Sequence, residues 1–171
     1  RPSVQAAAAI AAAEGGHLPV LRQLQLLELV PTEAWDERVC EAAAQRGDMD
    51  MLAWLRQHKC PMGVPTCEAA VRGGHLVVLQ WLRAQEPPCP WSNSACIAAA
   101  YGGHLAVLQW LRAQEPPCPW DEWACAAAAR GGHLAVLQWA RAQEPPCPWN
   151  EGTCESAAHG GHLAVLQWAR A

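Results

Sequence analysis

One phrase, Gly102-Gly103-His104-Leu105-Ala106-Val107-Leu108-Gln109-Trp110, returns unchanged at Gly131 to Trp139 and Gly160 to Trp168, and with Val77 in place of alanine at Gly73 to Trp81. Its second glycines, with those of two divergent copies, stand at 16, 47, 74, 103, 132 and 161, so the intervals are 31, 27, 29, 29 and 29 residues. A period of this length confines the chain to repeat architectures. Each copy is then one supersecondary unit, too small to bury its own apolar face, and neighbours must cover it. In the second copy Arg46-Gly47-Asp48-Met49 replaces the opening of the phrase, and in the first Gln23 stands where the others have tryptophan.

Each copy divides into two helices. Four residues before Cys40, Cys67, Cys96, Cys125 and Cys154 stand Asp36, Gly63, Ser92, Asp121 and Asn150, all residues suited to the N-cap, where a side chain or free backbone meets the orphan N–H groups of a first turn. Helix A is expected to start there. Trp35, Met62, Trp91, Trp120 or Trp149 precedes the cap and the cysteine lies at N4, a spacing that fits a hydrophobic staple. The Gly-Gly pair ends helix A, because glycine supplies the positive φ of a C-terminal cap. Helix B begins after the histidine, with Leu105, Val107, Leu108, Trp110 and Leu111 on a broad apolar face that leaves Gln109 and Arg112 outside. Trp54, Trp81, Trp110, Trp139 and Trp168 follow that face and are expected in the core.

Between copies runs Gln114-Glu115-Pro116-Pro117-Cys118-Pro119, whose prolines withhold N–H donors and favour extended, polyproline-like backbone over a strand pair. The 27-residue interval carries the shorter His58-Lys59-Cys60-Pro61, so this loop absorbs the length changes. The expected fold is all-α: one solenoid of stacked helix-turn-helix repeats over residues 1–171, about six copies, cut from a longer protein.

The phrase Gly-Gly-His-Leu-Ala-Val-Leu-Gln, preceded by paired alanines and a helix-opening cysteine, resembles the ankyrin repeat, in a shortened variant rich in Trp and Cys-Pro-Trp like those of large-virus and protist proteins. Asp121, Ala127, Ala128, Gly132, His133, Leu134, Val136 and Leu137 fall in the family's order, and the likeness spans the chain from near Gln5. Two features depart from it. Trp123-Ala124-Cys125-Ala126 stands where the family has Thr-Pro-Leu-His, and the period falls short of the usual ~33 residues by the length of the β-hairpin. The resemblance implies a protein-binding module that works through hairpin tips and the inner, helix A surface; with the hairpins shortened, helix A becomes the better candidate.

Composition excludes several classes. A formal charge of -4 without blocks offers no footprint for nucleic acid or an anionic membrane surface, and no apolar run approaches a membrane span. Zinc ligation by Cys118, Cys125 and His133 is disfavoured: His133 lies eight residues beyond Cys125, roughly 12 Å along a helix, and zinc holds its ligands at about 2.0–2.3 Å. The pair His159 and His162 reads as the usual turn with a variable residue before it. A disulfide such as Cys118 with Cys125 is open on spacing alone, but the odd number, 9, and the regular repeat favour buried packing thiols in a reducing, intracellular compartment. The histidines are expected to satisfy local backbone groups at the turn. No nucleophile–base pair, paired carboxylates or phosphate-cradling loop is apparent, so neither catalysis, nor a cofactor, nor a small-molecule substrate is expected.

The copies also differ from one another, and the differences are ordered. Counting from the N-cap, N1 reads Glu37, Val64, Asn93, Glu122 and Glu151; N5 reads Glu41, Glu68, Ile97, Ala126 and Glu155; N9 reads Gln45, Arg72, Tyr101, Arg130 and His159. Positions four apart share one face, so these form a stripe along helix A, expected to be exposed, with Arg38, Pro65, Ser94, Trp123 and Gly152 beside its start at N2. The expectation is a partner-facing strip on another protein's behalf, built on Glu41, Gln45, Glu68, Arg72, Ile97, Tyr101, Glu122, Trp123, Arg130, Glu155 and His159. Two readings compete with it: a passive spacer, and a one-base-per-repeat grip on single-stranded nucleic acid. Glutamate at N5 in three copies repels phosphate and disfavours the second.

Overall fold

The computed structural model describes residues 4–29, 35–92 and 94–170, and among these every regular element is an α-helix. In chain order they are α1 (Val4–Glu14), α2 (Leu18–Leu26), α3 (Glu37–Arg46), α4 (Met49–Gln57), α5 (Val64–Arg72), α6 (Leu76–Arg83), α7 (Ser94–Tyr101), α8 (Leu105–Arg112), α9 (Glu122–Gly131), α10 (Leu134–Arg141), α11 (Glu151–Gly160) and α12 (Leu163–Arg170). The all-α expectation holds, and odd and even helices occupy the places expected for helices A and B. Among the described residues no helix is long and apolar enough to cross a membrane.

The chain forms two compact units, residues 1–91 and 92–171. In the first, α3 packs between α1 and α5; in the second, α9 packs between α7 and α11; each even helix lies against the odd helix before it. Small side chains make the close stacking possible. Ala43, Ala44, Ala69 and Ala70 in the first unit, and Ala99, Ala100, Ala128, Ala129 and Ala157 in the second, are buried where the odd helices meet. The even helices close each core from one side with Leu52, Leu55, Leu79 and Leu82, and with Leu108, Leu111, Leu137 and Val165.

Caps set the helix starts, though not all as expected. Asp36 accepts from the N–H of Arg38 at 2.9 Å, Ser92 from Ser94 at 3.1 Å and Asp121 from Trp123 at 3.0 Å. Gly63 has no side chain to offer, and Asn150, in the cap position of α11, makes no side-chain cap bond. At the other end Gly132 adopts φ +76°, which lets its N–H reach the Ala129 carbonyl and that of His133 reach Ala128. The same closure recurs at each described Gly-Gly turn.

The histidines do more than serve their own turn. Nε2 of His75 hydrogen-bonds the Gln45 carbonyl at 3.0 Å, His133 that of Tyr101 at 2.9 Å and His162 that of Arg130 at 2.9 Å, so each bridges to the end of the preceding odd helix. The expectation of purely local partners was wrong. Their rings also lie over the left-handed glycine of that preceding copy: a Cβ on Gly47, Gly103 or Gly132 would run into His75, His133 or His162. Where the second copy has Asp48 in place of histidine, Arg46 takes over, donating to the Glu14 carbonyl at 3.1 Å with its guanidinium against Gly16.

The helix B tryptophans are not all core. Trp54 is 9% exposed, but Trp81, Trp110, Trp139 and Trp168 are half-buried. In three copies the helix B tryptophan meets the tryptophan before the cap of its own copy: Trp35 packs edge-on against Trp54 at 5.4 Å, Trp120 against Trp139 at 5.8 Å and Trp149 against Trp168 at 5.5 Å. Arg112, expected outside, instead clamps the connector. Its Nη1 donates to the Cys118 carbonyl at 2.7 Å and its guanidinium lies 4.3 Å from the Trp120 ring, while Arg83 repeats both contacts with Cys89 and Trp91. The connectors are loops and not strand pairs, as expected, and carry cis bonds at Glu86-Pro87, Glu115-Pro116 and Glu144-Pro145.

Candidate functional site

In the first unit α1 and α3 present a groove of about 420 Å³ lined by Ile10, Glu14, Arg38, Glu41, Ala42, Gln45 and Arg46. Its lining combines the apolar Ile10 and Ala42 with the charged Glu14, Arg38, Glu41 and Arg46. Arg38 is not a free arm: Nε and Nη2 donate to Oδ2 of Asp36 at 3.0 and 2.6 Å. The hydrogen bonds from the Arg38 side chain and then from its backbone N–H hold the Asp36 carboxyl below its usual range, and Asp36 in return raises the Arg38 guanidinium. Across the next helix contact, Arg72 on α5 reaches Glu41 on α3 at 2.8 Å, and its other nitrogen stands 3.9 Å from Glu68. Glu41, Gln45, Glu68 and Arg72 are therefore brought onto one face of the α3–α5 pair, with part of their charge already matched.

In the second unit the apolar members dominate. Trp123 at the start of α9 is 64% exposed and Tyr101 at the end of α7 is 56% exposed, although the alanines between them and the core are buried. Ile97 and Glu122 are half-buried; Arg130, Glu155 and His159 are exposed on α9 and α11. Ala126, the N5 residue of α9, is 9% exposed and leaves the expected stripe, and Asn93 lies outside the described residues.

Ile10 and Glu14 were missed by the sequence reading, and a signal for them existed. The first copy lacks the cysteine used to count from the cap, but counting back from Gly16 as from Gly47 puts Glu14 level with Gln45 and Ile10 level with Glu41.

The cysteines and histidines that suggest a metal centre separate. The Cys118 thiol meets that of Cys96, the Cys125 thiol meets that of Cys147, and His133 is engaged by the Tyr101 carbonyl. Among the described residues no three His, Cys, Asp or Glu side chains converge as a metal cage requires. His162 of the pair His159 and His162 bridges to Arg130, while His159 faces water. Comparison with protein-family models and with curated proteins finds no match.

Proposed function

We propose that the chain is a solenoid-type scaffold without catalysis of its own, related in design to the ankyrin repeat, that binds another protein along the faces of its odd helices. The observation that carries this reading is the exposure of Trp123, 64%, at the start of a helix whose Ala124, Cys125, Ala128 and Ala129 are buried. A rigid helix that holds an indole in water forgoes the free energy of burying it, and such aromatic side chains, with few rotors to freeze, are the usual anchors of protein interfaces. Tyr101 on the neighbouring helix and the charged rim of Arg130, Glu155 and His159 supply polar surroundings of the kind that frame an anchor. In the first unit the groove beside Glu41 and Gln45 offers a recess for a partner's apolar side chain.

The test compares two immobilised variants as baits in extract of the source cells. Trp123→Ala with Tyr101→Ala and Arg130→Ala should lose a co-purifying protein by at least ~30-fold, corresponding to about 2 kcal/mol. Glu115→Ala with Glu144→Ala, on the connectors, should retain it. Retention by the first and loss by the second would move the binding face to the loops.

A further inference from the structure

Eight of the nine cysteines meet in twos. Cys40 stands beside Cys60, Cys67 beside Cys89, Cys96 beside Cys118 and Cys125 beside Cys147, in every case an N4 cysteine of an odd helix with the cysteine of the connector that leaves the same copy. The placement is reciprocal. Sγ of Cys67 lies 3.5 Å from the Cys89 carbonyl, and Sγ of Cys89 lies 3.0 Å from the carbonyl of Gly63, the cap of the helix that carries Cys67. Cys125 and Cys147 repeat it at 4.0 and 3.5 Å, the latter to Asp121, and Cys60 stands 3.6 Å from the Asp36 carbonyl. All eight side chains are at most 3% exposed, and all eight are free thiols; Cys154, half-buried, is the ninth.

Packing alone asks for a small apolar side chain at each position, which alanine supplies elsewhere in these helices. It does not ask for two sulfurs facing each other in four separate copies. We propose that each pair is an oxidative modification site that accepts a low-molecular-weight disulfide and closes into a cross-link between the odd helix and its own connector.

The chemistry balances with one equivalent of oxidised glutathione per pair. One cysteine, as thiolate, attacks a glutathione sulfur; the glutathione S–S bond breaks, a mixed disulfide forms and one glutathione thiolate leaves. The second cysteine then attacks the protein sulfur of the mixed disulfide, the intramolecular S–S bond forms and the second glutathione leaves. Two thiol protons pass to the two glutathione thiolates, and the two electrons lost by the pair reduce the glutathione disulfide. Access runs through the connector, whose Glu86, Pro87 and Pro88 are exposed.

The experiment incubates the full chain with saturating oxidised glutathione, unfolds it under acid quench, alkylates the remaining thiols and maps the cross-linked peptides. Four pairs consume eight of the nine thiols, so the four pairs named above should be the cross-links and Cys154 should be the one cysteine outside any cross-link, as thiol or as glutathione adduct. More than one alkylatable thiol, a persistent glutathione adduct on any of the eight paired cysteines, or a different pairing such as Cys118 with Cys125 overturns the proposal. The variant Cys89→Ala provides a second reading that does not depend on an intact pair. If it keeps the wild-type helical spectrum, oxidation should leave two cysteines outside any intramolecular cross-link, Cys154 and Cys67, each as thiol or glutathione adduct; a Cys67 cross-linked to another cysteine overturns the proposal as well.

Discussion

Gly132→Ala isolates what holds one copy to the next. The wild-type residue has φ +76°, and a side chain there sits in the left-handed region, at about 1–2 kcal/mol for an L-residue. The added Cβ also overlaps Nδ1 of His162 and lies 2.6 Å from its Cε1, so the ring must shift and release the Arg130 carbonyl. Overpacking of that kind costs about 1–3 kcal/mol, and the lost hydrogen bond lies within that sum. The expected total is about 2–5 kcal/mol. Gly161 provides the internal control: its φ is +75°, yet a Cβ there meets nothing within 4 Å, so Gly161→Ala should show the conformational part alone, about 1–2 kcal/mol. Urea denaturation followed by the helical circular dichroism band measures both, with equal m-values required for the comparison. In a His162→Ala background the extra cost of Gly132→Ala should shrink to that of Gly161→Ala. Equal losses for the two glycine variants, or no relief from removing His162, would refute the bridge.

Three further outcomes follow from the same contacts. Trp139→Ala should cost about 2 kcal/mol in urea denaturation, below the roughly 3–5 of a sealed tryptophan, because its ring is half-buried and held by the edge of Trp120; a loss above that range would place it in the core. Arg112→Ala should cost about 1–2 kcal/mol and speed limited proteolysis between Glu115 and Trp120, and an unchanged cleavage rate would show that the clamp does not hold the connector. Asp36, a depressed carboxyl, contributes stability that is present above its ordinary value of 3.8 and is lost as pH falls through the lower folded value. Its NMR titration midpoint should lie below 3.8 and move up in Arg38→Ala; a midpoint unaffected by that change would assign the shift elsewhere.

Local chemistry was legible in the sequence and distant pairing was not. Caps at Asp36 and Asp121, helix ends at Gly47 and Gly132 and loop character at Pro116 to Pro119 all depend on residues within one turn, and the helices start and stop where those residues direct. The histidine bridge was missed because its acceptor is a backbone carbonyl 30 or 32 residues earlier, invisible to side-chain pattern. The cysteine pairing was left open for a similar reason: Cys125 is nearer in sequence to Cys118, but its own connector returns Cys147 to it over the intervening helix. Burial of Trp139 was overstated because periodicity reports which residues share a face, not what covers that face. Within the candidate surface, Tyr101 and Trp123 are exposed as their variation among copies suggests, whereas Ala126 varies in the sequence and is buried in the fold.

The bond from each histidine ends on a carbonyl, an atom that every amino acid presents identically. The residue that supplies it is Gln45, Tyr101 or Arg130, so the junction between copies makes no demand on the identity of one of the most variable positions in the chain. Assembly and diversification are thereby written in separate atoms of the same residue. Inserting or deleting one whole 29-residue copy between the identical stretches Gly102 to Trp110 and Gly131 to Trp139 would leave every new junction with its carbonyl and its glycine in place.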